Sequence, residues 1–385
     1  MTTYYVDGQS GNDSANGGSG APWKTLGKAR NTVKAGDEVR VRSAVYREQL
    51  TINTPNTVWC ADTGHKPVLD GGYSDALMFK DANGYDRMPL PGPNHLPGGQ
   101  YGNMILIAAN GVTIDGLTVQ NIAGAGIGMG TVADVVVRNC RVDFTVLTNI
   151  HVTGNWGDRV VIENNVLTRG AVNNIQAPWP GIWSGNVAIG GGRDCIVRNN
   201  LIAYSWGEGV DSHRGSLRTT IEGNIVHSCM SAHIYVQRAK DNVIRNNFVF
   251  HTGEPSFIQR LTRYISEGIM IADELESVAF HHSSGDHIYN NIVVGVGILL
   301  NIDNGAAILD TQLNKSYIGY NTFVGGPKTR IGANIPDNTA DPNRQHVDSI
   351  FENNIICNVP SDKPIAVAGS KLGGLLFRNN LWDRL

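Results

Sequence analysis

The stretch IVRNNLIAYSWGEGVDSHRGSLRTTIEGNIVHSCMSAHIYVQRAKDNVIRNNFVF, Ile196 to Phe250, states one six-residue motif three times: VRNNLI from Val197, IEGNIV from Ile221 and IRNNFV from Ile244. The motif recurs in both directions, as IDGLTV from Ile114, VRNCRV from Val137 and IENNVL from Ile162, and as IYNNIV from Ile288, IGYNTF from Ile318, FENNII from Phe351 and FRNNLW from Phe377. Its fourth position is Leu117, Cys140, Asn165, Asn200, Asn224, Asn247, Asn291, Asn321, Asn354 and Asn380, so successive copies lie 23, 25, 35, 24, 23, 44, 30, 33 and 26 residues apart. A basal period of 23 to 25 suits a coil of three short strands, a unit that buries its apolar face only by stacking on the next. One long all-β solenoid therefore accounts for the 385 residues better than two or three separate domains.

Asparagine at a fixed turn tolerates left-handed backbone geometry, and its amide can bond the asparagines above and below in a ladder. The motif asparagines are thus expected to be structural. Intervals longer than the basal period mark insertions, which must project from a stacked coil as loops and commonly wall a binding groove. They are expected near 81–102, 170–185, 251–268 and 325–347, with residues 1–65 forming a cap and first coil and 66–385 the coil stack, in one domain overall. The segments Ala177–Trp183 and His251–Gly268 are expected to flank the functional face. The final FRNNLWDRL stops in mid-coil, so the chain either is a piece of a longer helix or ends in an improvised cap.

Composition excludes several classes. With 41% hydrophobic and 17% charged residues the chain can bury a large core and is neither disordered nor a coiled coil. A net charge of −3 provides no global basic field for nucleic acid. No apolar run approaches the roughly 20 residues that span a bilayer, and Met1 leads into YYVDG without a signal peptide. Cys60, Cys140, Cys195, Cys229 and Cys357 are isolated and odd in number, which fits small buried residues rather than a disulfide framework or a metal site.

At the N-terminus, Tyr4-Tyr5-Val6, Gly11-Asn12-Asp13, Pro22-Trp23-Lys24-Thr25-Leu26, Ala35-Gly36-Asp37 and Val41-Arg42 to Tyr46-Arg47-Glu48 resemble the cap of secreted right-handed parallel β-helix proteins. A helix is expected from Thr25 to Val33, covering an open end of the coil stack that would otherwise invite aggregation. The resemblance implies a single-stranded right-handed parallel β-helix with an N-terminal cap helix and inserted loops. It also implies an extracellular, cell-surface or periplasmic location.

Chemistry-bearing residues concentrate from Trp206 to Arg238. Counted from the motif's fourth position, His151, Asp211 and Tyr235 share an offset of 11, His233 aligns with Gly209 and Asn149 at 9, and His213 with Gln237 and Thr153 at 13. Strand side chains alternate, so offsets 9, 11 and 13 are expected to face outward while Val210, Ile234 and Val236 face the core. Coil spacing of about 4.8 Å would bring Asp211 beside Tyr235 and near His213 or His233. This group supplies a candidate base, acid and anion binder in Asp211, His213, His233 and Tyr235, with Glu208 and Glu267 as further carboxylates whose aim the spacing does not fix. Trp179, Trp183 and Trp206 could stack on sugar rings, at least one of the nearby tryptophans being merely packed. Arg214, Arg238, Arg260 and Arg263 could pair with the carboxylates of a uronic acid polymer, with His151 and Gln237 as further binding candidates.

Gly209-Val210-Asp211-Ser212-His213 is similar to the Asp-Pro-His motif of the alginate epimerase β-helices, whose chemistry is shared with polysaccharide lyases. Asp211 and His213 correspond, Ser212 replaces the proline, and Glu208 stands where that family has tyrosine. The expected function is a lyase cleaving a uronate-containing polysaccharide by β-elimination. A glycoside hydrolase using Asp211 with Glu208 or Glu267, a uronan epimerase and a non-catalytic carbohydrate-binding β-helix or fibre are the alternatives. The expected partner is a polysaccharide or oligosaccharide. No cofactor is called for by the residues themselves. The resemblance brings Ca2+ with it, although no oxygen-ligand motif names a site.

Overall fold

The computed structural model describes residues 1–84, 86–97, 102–152, 157–175, 185–252, 266–273, 282–302, 313–335, 346–359, 365–367 and 373–382. The fold is mostly β, with three parallel sheets wound as a right-handed β-helix and one short α-helix. The chain divides into two compact units, residues 1–188 and 189–385.

In the first unit the α-helix spans Leu26–Thr32, as expected. Thr25 caps it by accepting from the Lys28 N–H, and the Glu48 carboxylate accepts from the N–H groups of Leu26 and Gly27. Three of the orphan donors of the first turn are thereby satisfied. The buried Leu26 and Ala29 turn the helix toward strands Thr3–Val6 and Leu50–Ile52. Coils begin ahead of Lys66: strands Glu38–Val41, Val45–Tyr46 and Leu50–Ile52 already pair with Val58–Ala61, Val68–Asp70 and Asn103–Ile107. Phe79–Lys80 and Asp86–Arg87 form an antiparallel ribbon where the 81–102 insertion was expected.

In the second unit, each coil contributes one strand per sheet. The first sheet stacks Ile196–Arg198, Thr220–Glu222, Val243–Arg245, His287–Tyr289, Tyr317–Gly319, Ser349–Glu352 and Leu375–Arg378. The second stacks Leu201–Ala203, Ile225–His227, Phe248–Phe250, Ile292–Val294, Thr322–Val324, Ile355–Cys357 and Leu381–Trp382. The third stacks Glu208–His213, Ile234–Gln237, Glu267–Ala272, Ile298–Asn301, Ile331–Ile335 and Ile365–Val367. The strand Ile331–Ile335 lies inside the span read from sequence as the 325–347 insertion. One column per sheet fills the interior. Val197, Ile221, Ile244, Ile288, Ile318 and Phe351 form the first, and Val210, Ile234, Ile269, Leu300 and Ala333 the third, all fully buried. Each large apolar member contributes about 1.5–3 kcal/mol of burial.

The motif asparagines of this unit sit at the corner between the first and second sheets, and the amides form a continuous ladder. Asn224 donates its backbone and side-chain N–H to Asn247 Oδ1, both at 3.0 Å, and Asn247 does the same to Asn291 at 3.1 and 2.9 Å. The left-handed residue is a different one from that expected. Positive φ falls on the residue before the ladder position, at Asn199, Gly223, Asn246, Asn290, Tyr320, Asn353 and Asn379. The corner divides its labour: the third motif residue bends the chain, and the fourth points its amide inward along the stack.

A second polar column, not foreseen from sequence, lies where the chain returns to the first sheet. Thr219, Asn242, Asp286 and Ser316 directly precede its strands, Ser349 opens the next, and all are buried. Asn242 donates from its backbone and side chain to Asp286 Oδ1 at 3.1 and 2.7 Å, and Ser212 reaches both Thr219 and Asn242. Burial raises the Asp286 carboxyl to about 7. A carboxyl raised above its unfolded value binds more protons in the native state, so its contribution to stability falls as pH rises from about 4 toward 7. Asp286→Asn keeps the accepting oxygen and removes the titration. Thermal unfolding of this variant is expected to depend less on pH across that window than the wild type does, and an unchanged pH slope would refute the assignment.

Candidate functional site

The site is built on the third sheet of the second unit. Asp211 pairs with Tyr235 and His213 with Gln237, which is the register read from the repeat spacing, and the next coil sets Met270 and Ala272 against Tyr235 and Gln237. Asp211 and His213 alternate with the fully buried Val210 and Ser212 and so share the outer face. That face is not open to bulk solvent: Asp211, Tyr235 and Gln237 are 8%, 6% and 5% exposed. Polar side chains on a merely solvated outer face would not be covered in this way.

The His213 Nδ1 lies 3.1 Å from Asp211 Oδ2. A carboxylate only accepts, so this contact favours the tautomer with the proton on Nδ1 and a lone pair on Nε2. Nε2 is buried and has no hydrogen-bond partner among the described residues. Burial lowers the His213 imidazole to about 3, the Arg214 charge adding to the effect and the Gln237 amide opposing it. The ring is therefore neutral at neutral pH. Arg214 itself is exposed at the corner just beyond, with φ of 52°.

His233 is placed differently from the expectation. It is fully buried and faces the interior, its Nδ1 donating to the Glu267 carbonyl at 2.7 Å and its Nε2 accepting from the Cys229 N–H at 3.3 Å. The cause is a break in the pleat. Gly209 and Val210 both donate to the following coil, to Ala232 and His233, whereas alternation would send successive N–H groups to opposite neighbours. A Cβ on Gly209 would meet Val226 and Cys229 in the core, and His233 occupies the equivalent place one coil on. Burial holds its imidazole near 3. With both nitrogens committed, it is a satisfied core histidine.

Glu208 and Glu267 open their strands two residues before Val210 and Ile269, with Ala232 between them in register. Two strand spacings put their Cα atoms about 10 Å apart. Glu208 is 4% exposed, and burial raises the Glu267 carboxyl to about 7. Arg238 and Trp206 are buried, at 2% and 3% exposure. His151 belongs to the first unit, where its Nε2 meets Asn103 Oδ1 at 2.6 Å across Gly128 and burial lowers it to about 4. Trp179, Trp183, Arg260 and Arg263 lie outside the described residues, as do most of the two segments expected to flank this face.

Sequence reasoning missed Met270 on the Asp211–Tyr235 line, because the insertion before it destroys the offset count. The same holds for Asp273, which follows that strand. Among the described residues no three His, Cys, Asp or Glu side chains are grouped to hold a metal ion.

The chain belongs to the right-handed β-helix family, whose description, right handed beta helix region, matches residues 103–334. No curated protein sequence matches it. Among solved structures it is similar in fold to a hyperthermoactive exopolygalacturonase from Thermotoga maritima, with a TM-score of 0.61 at 10% identity over 98% of this chain and 89% of that one. It is likewise similar to pectate lyase Pel9A, at 0.55 and 13% identity over 99% and 79% of the two chains. The alginate lyase AlyGC gives 0.55 at 14% identity over 93% of this chain and 50% of that one. At such identities the likeness is one of fold. Among the described residues no helix is long and apolar enough to cross a membrane.

Proposed function

We propose that this protein is a polysaccharide lyase that cleaves a uronate-containing chain by β-elimination. The observation that carries the reading is the Asp211–His213 pair, which leaves a neutral imidazole with a buried, bare Nε2 beside Tyr235. In this mechanism His213 Nε2 removes the proton on carbon 5 of the uronate, Asp211 holds the ring in the required tautomer and stabilises the imidazolium that forms, and the Tyr235 hydroxyl donates to the oxygen leaving carbon 4. The electron pair of the broken C–H bond becomes the new double bond. Gln237, next to His213 in register, is placed to hydrogen-bond the uronate carboxylate, with the Arg214 charge at the rim. Epimerisation would share the first step and return the proton to the opposite face. A polymeric substrate of this kind places the protein outside the cytoplasm.

Hydrolysis is the second reading, favoured by Glu267. A carboxyl raised to about 7 is protonated below that pH and suits a general acid, with Glu208 as the partner base. A screen on alginate, polygalacturonate, glycosaminoglycans and neutral glycans separates the two. The lyase is expected to give ultraviolet-absorbing products, because elimination leaves a double bond conjugated with the carboxylate. Reducing ends without absorbance would establish hydrolysis instead.

A further inference from the structure

We infer that His282, held by Asp273, binds a hydroxyl of the sugar residue neighbouring the cleaved one. This rests on the lyase reading above and extends it by one binding residue. Asp273 is fully buried, and its Oδ1 accepts from the Ser283 N–H at 3.0 Å and from the Ser283 hydroxyl at 2.7 Å. Its Oδ2 lies 3.2 Å from His282 Nδ1. The proton on Nδ1 is fixed by that carboxylate, so Nε2 is an acceptor, the same arrangement as in His213. His282 differs in access, for its side chain is 46% exposed while that of Asp273 is not exposed at all.

The placement borders the site. Asp273 directly follows Ala272, the register partner of Gln237, which is in turn the partner of His213. On the line that carries imidazole and amide in the two preceding coils, the third coil has only a methyl group, and His282 is fastened one residue beyond it. A structural role does not account for the ring. Ser283 occupies Asp273 Oδ1 through its N–H and its hydroxyl, whereas a half-exposed hydrogen bond from His282 adds little and costs rotamer freedom. An imidazole held at a fixed tautomer, half open beside a covered catalytic face, is preorganised for a ligand. Its bare Nε2 suits a donor, and on a polysaccharide the donors are hydroxyl groups.

The test is steady-state kinetics of His282→Ala on long and short oligomers of whichever uronan the wild type cleaves. One lost neutral hydrogen bond corresponds to about a 2- to 13-fold change. The variant is expected to raise KM by that factor on the long oligomer with kcat within about twofold, and to match the wild type on the shortest cleaved oligomer, which lacks the neighbouring residue. Asp273→Asn is expected to move KM in the same direction. If it fails to fold, the exposed His282 still decides the matter. An unchanged KM, or equal effects on long and short substrates, would overturn the inference alone. A wild type that cleaves none of the glycans would overturn it together with the lyase reading.

Discussion

Replacing His213 by alanine is expected to lower kcat/KM by about 10²- to 10⁴-fold, the range a positioned general base supplies. The change should leave the fold intact, because His213 lies outside the apolar columns that stack the coils. Asp211→Asn should act in the same direction: the carboxamide cannot both fix the Nδ1 proton and stabilise an imidazolium. The pH profile adds a second check. A base must be deprotonated to act, and burial holds His213 near 3, so its acidic limb should lie well below neutrality rather than near the ordinary histidine value. Loss of activity on raising pH through about 7 would instead trace to Glu267, whose protonated form is the one hydrolysis requires. Initial rates of ultraviolet absorbance for the two variants decide the point. Full activity in both on the true substrate would place the chemistry elsewhere.

The largest loss of stability is expected from Asn247→Ala. Asn247 is 2% exposed; its Nδ2 donates to the Ile221 carbonyl and to Asn291 Oδ1, each at 2.9 Å, and its Oδ1 accepts two bonds from Asn224. Alanine keeps the backbone N–H bond to Asn291 Oδ1 but leaves the Asn224 donors and the Ile221 carbonyl without this partner, at about 1–3 kcal/mol apiece, and a total cost of about 4 kcal/mol is the expectation. Asn380, half-buried, provides the control. It accepts from Asn354 and donates to the Phe351 carbonyl at 2.9 Å, and water can replace part of what is lost there. Asn380→Ala should therefore cost markedly less. Equal midpoints in denaturant for the two variants would show that the ladder does not carry the corner.

What could be read from sequence followed what repeats. The motif predicted the parallel coils, the asparagine corner and the alignment of Asp211 with Tyr235, because each depends on spacing that neighbouring coils share. Errors arose where one coil departs from regular geometry. His233 was assigned outward on strict alternation, and the interrupted pleat at Gly209 and Val210 sends it inward. The bend was assigned to the ladder asparagines, although a left-handed residue must precede an amide that points into the stack. Tyr320 hides that rule, since nothing in a tyrosine advertises a φ of 57°. The Thr219–Asn242–Asp286 column escaped notice because its members change from Thr to Asn to Asp to Ser along the stack. The Asp273–His282 pair escaped because its two residues flank a segment whose length sets no offset.

The asparagine corner also bears on how such a chain changes over time. From Arg198 to Leu201, Glu222 to Ile225, Arg245 to Phe248, Tyr289 to Ile292, Gly319 to Thr322, Glu352 to Ile355 and Arg378 to Leu381, the step around it never varies. The intervals between successive copies nevertheless run from 23 to 44 residues, so all the surplus length enters at the other two corners. A strand shifted by one residue would turn its apolar side chains to solvent, and the ladder forbids that shift locally in every coil. The corner thus serves as a fixed reference mark, resetting the count once per turn. Segments beside the candidate face can lengthen or shorten, and the next coil still begins in step. New specificities become reachable through insertions alone, with the scaffold left untouched.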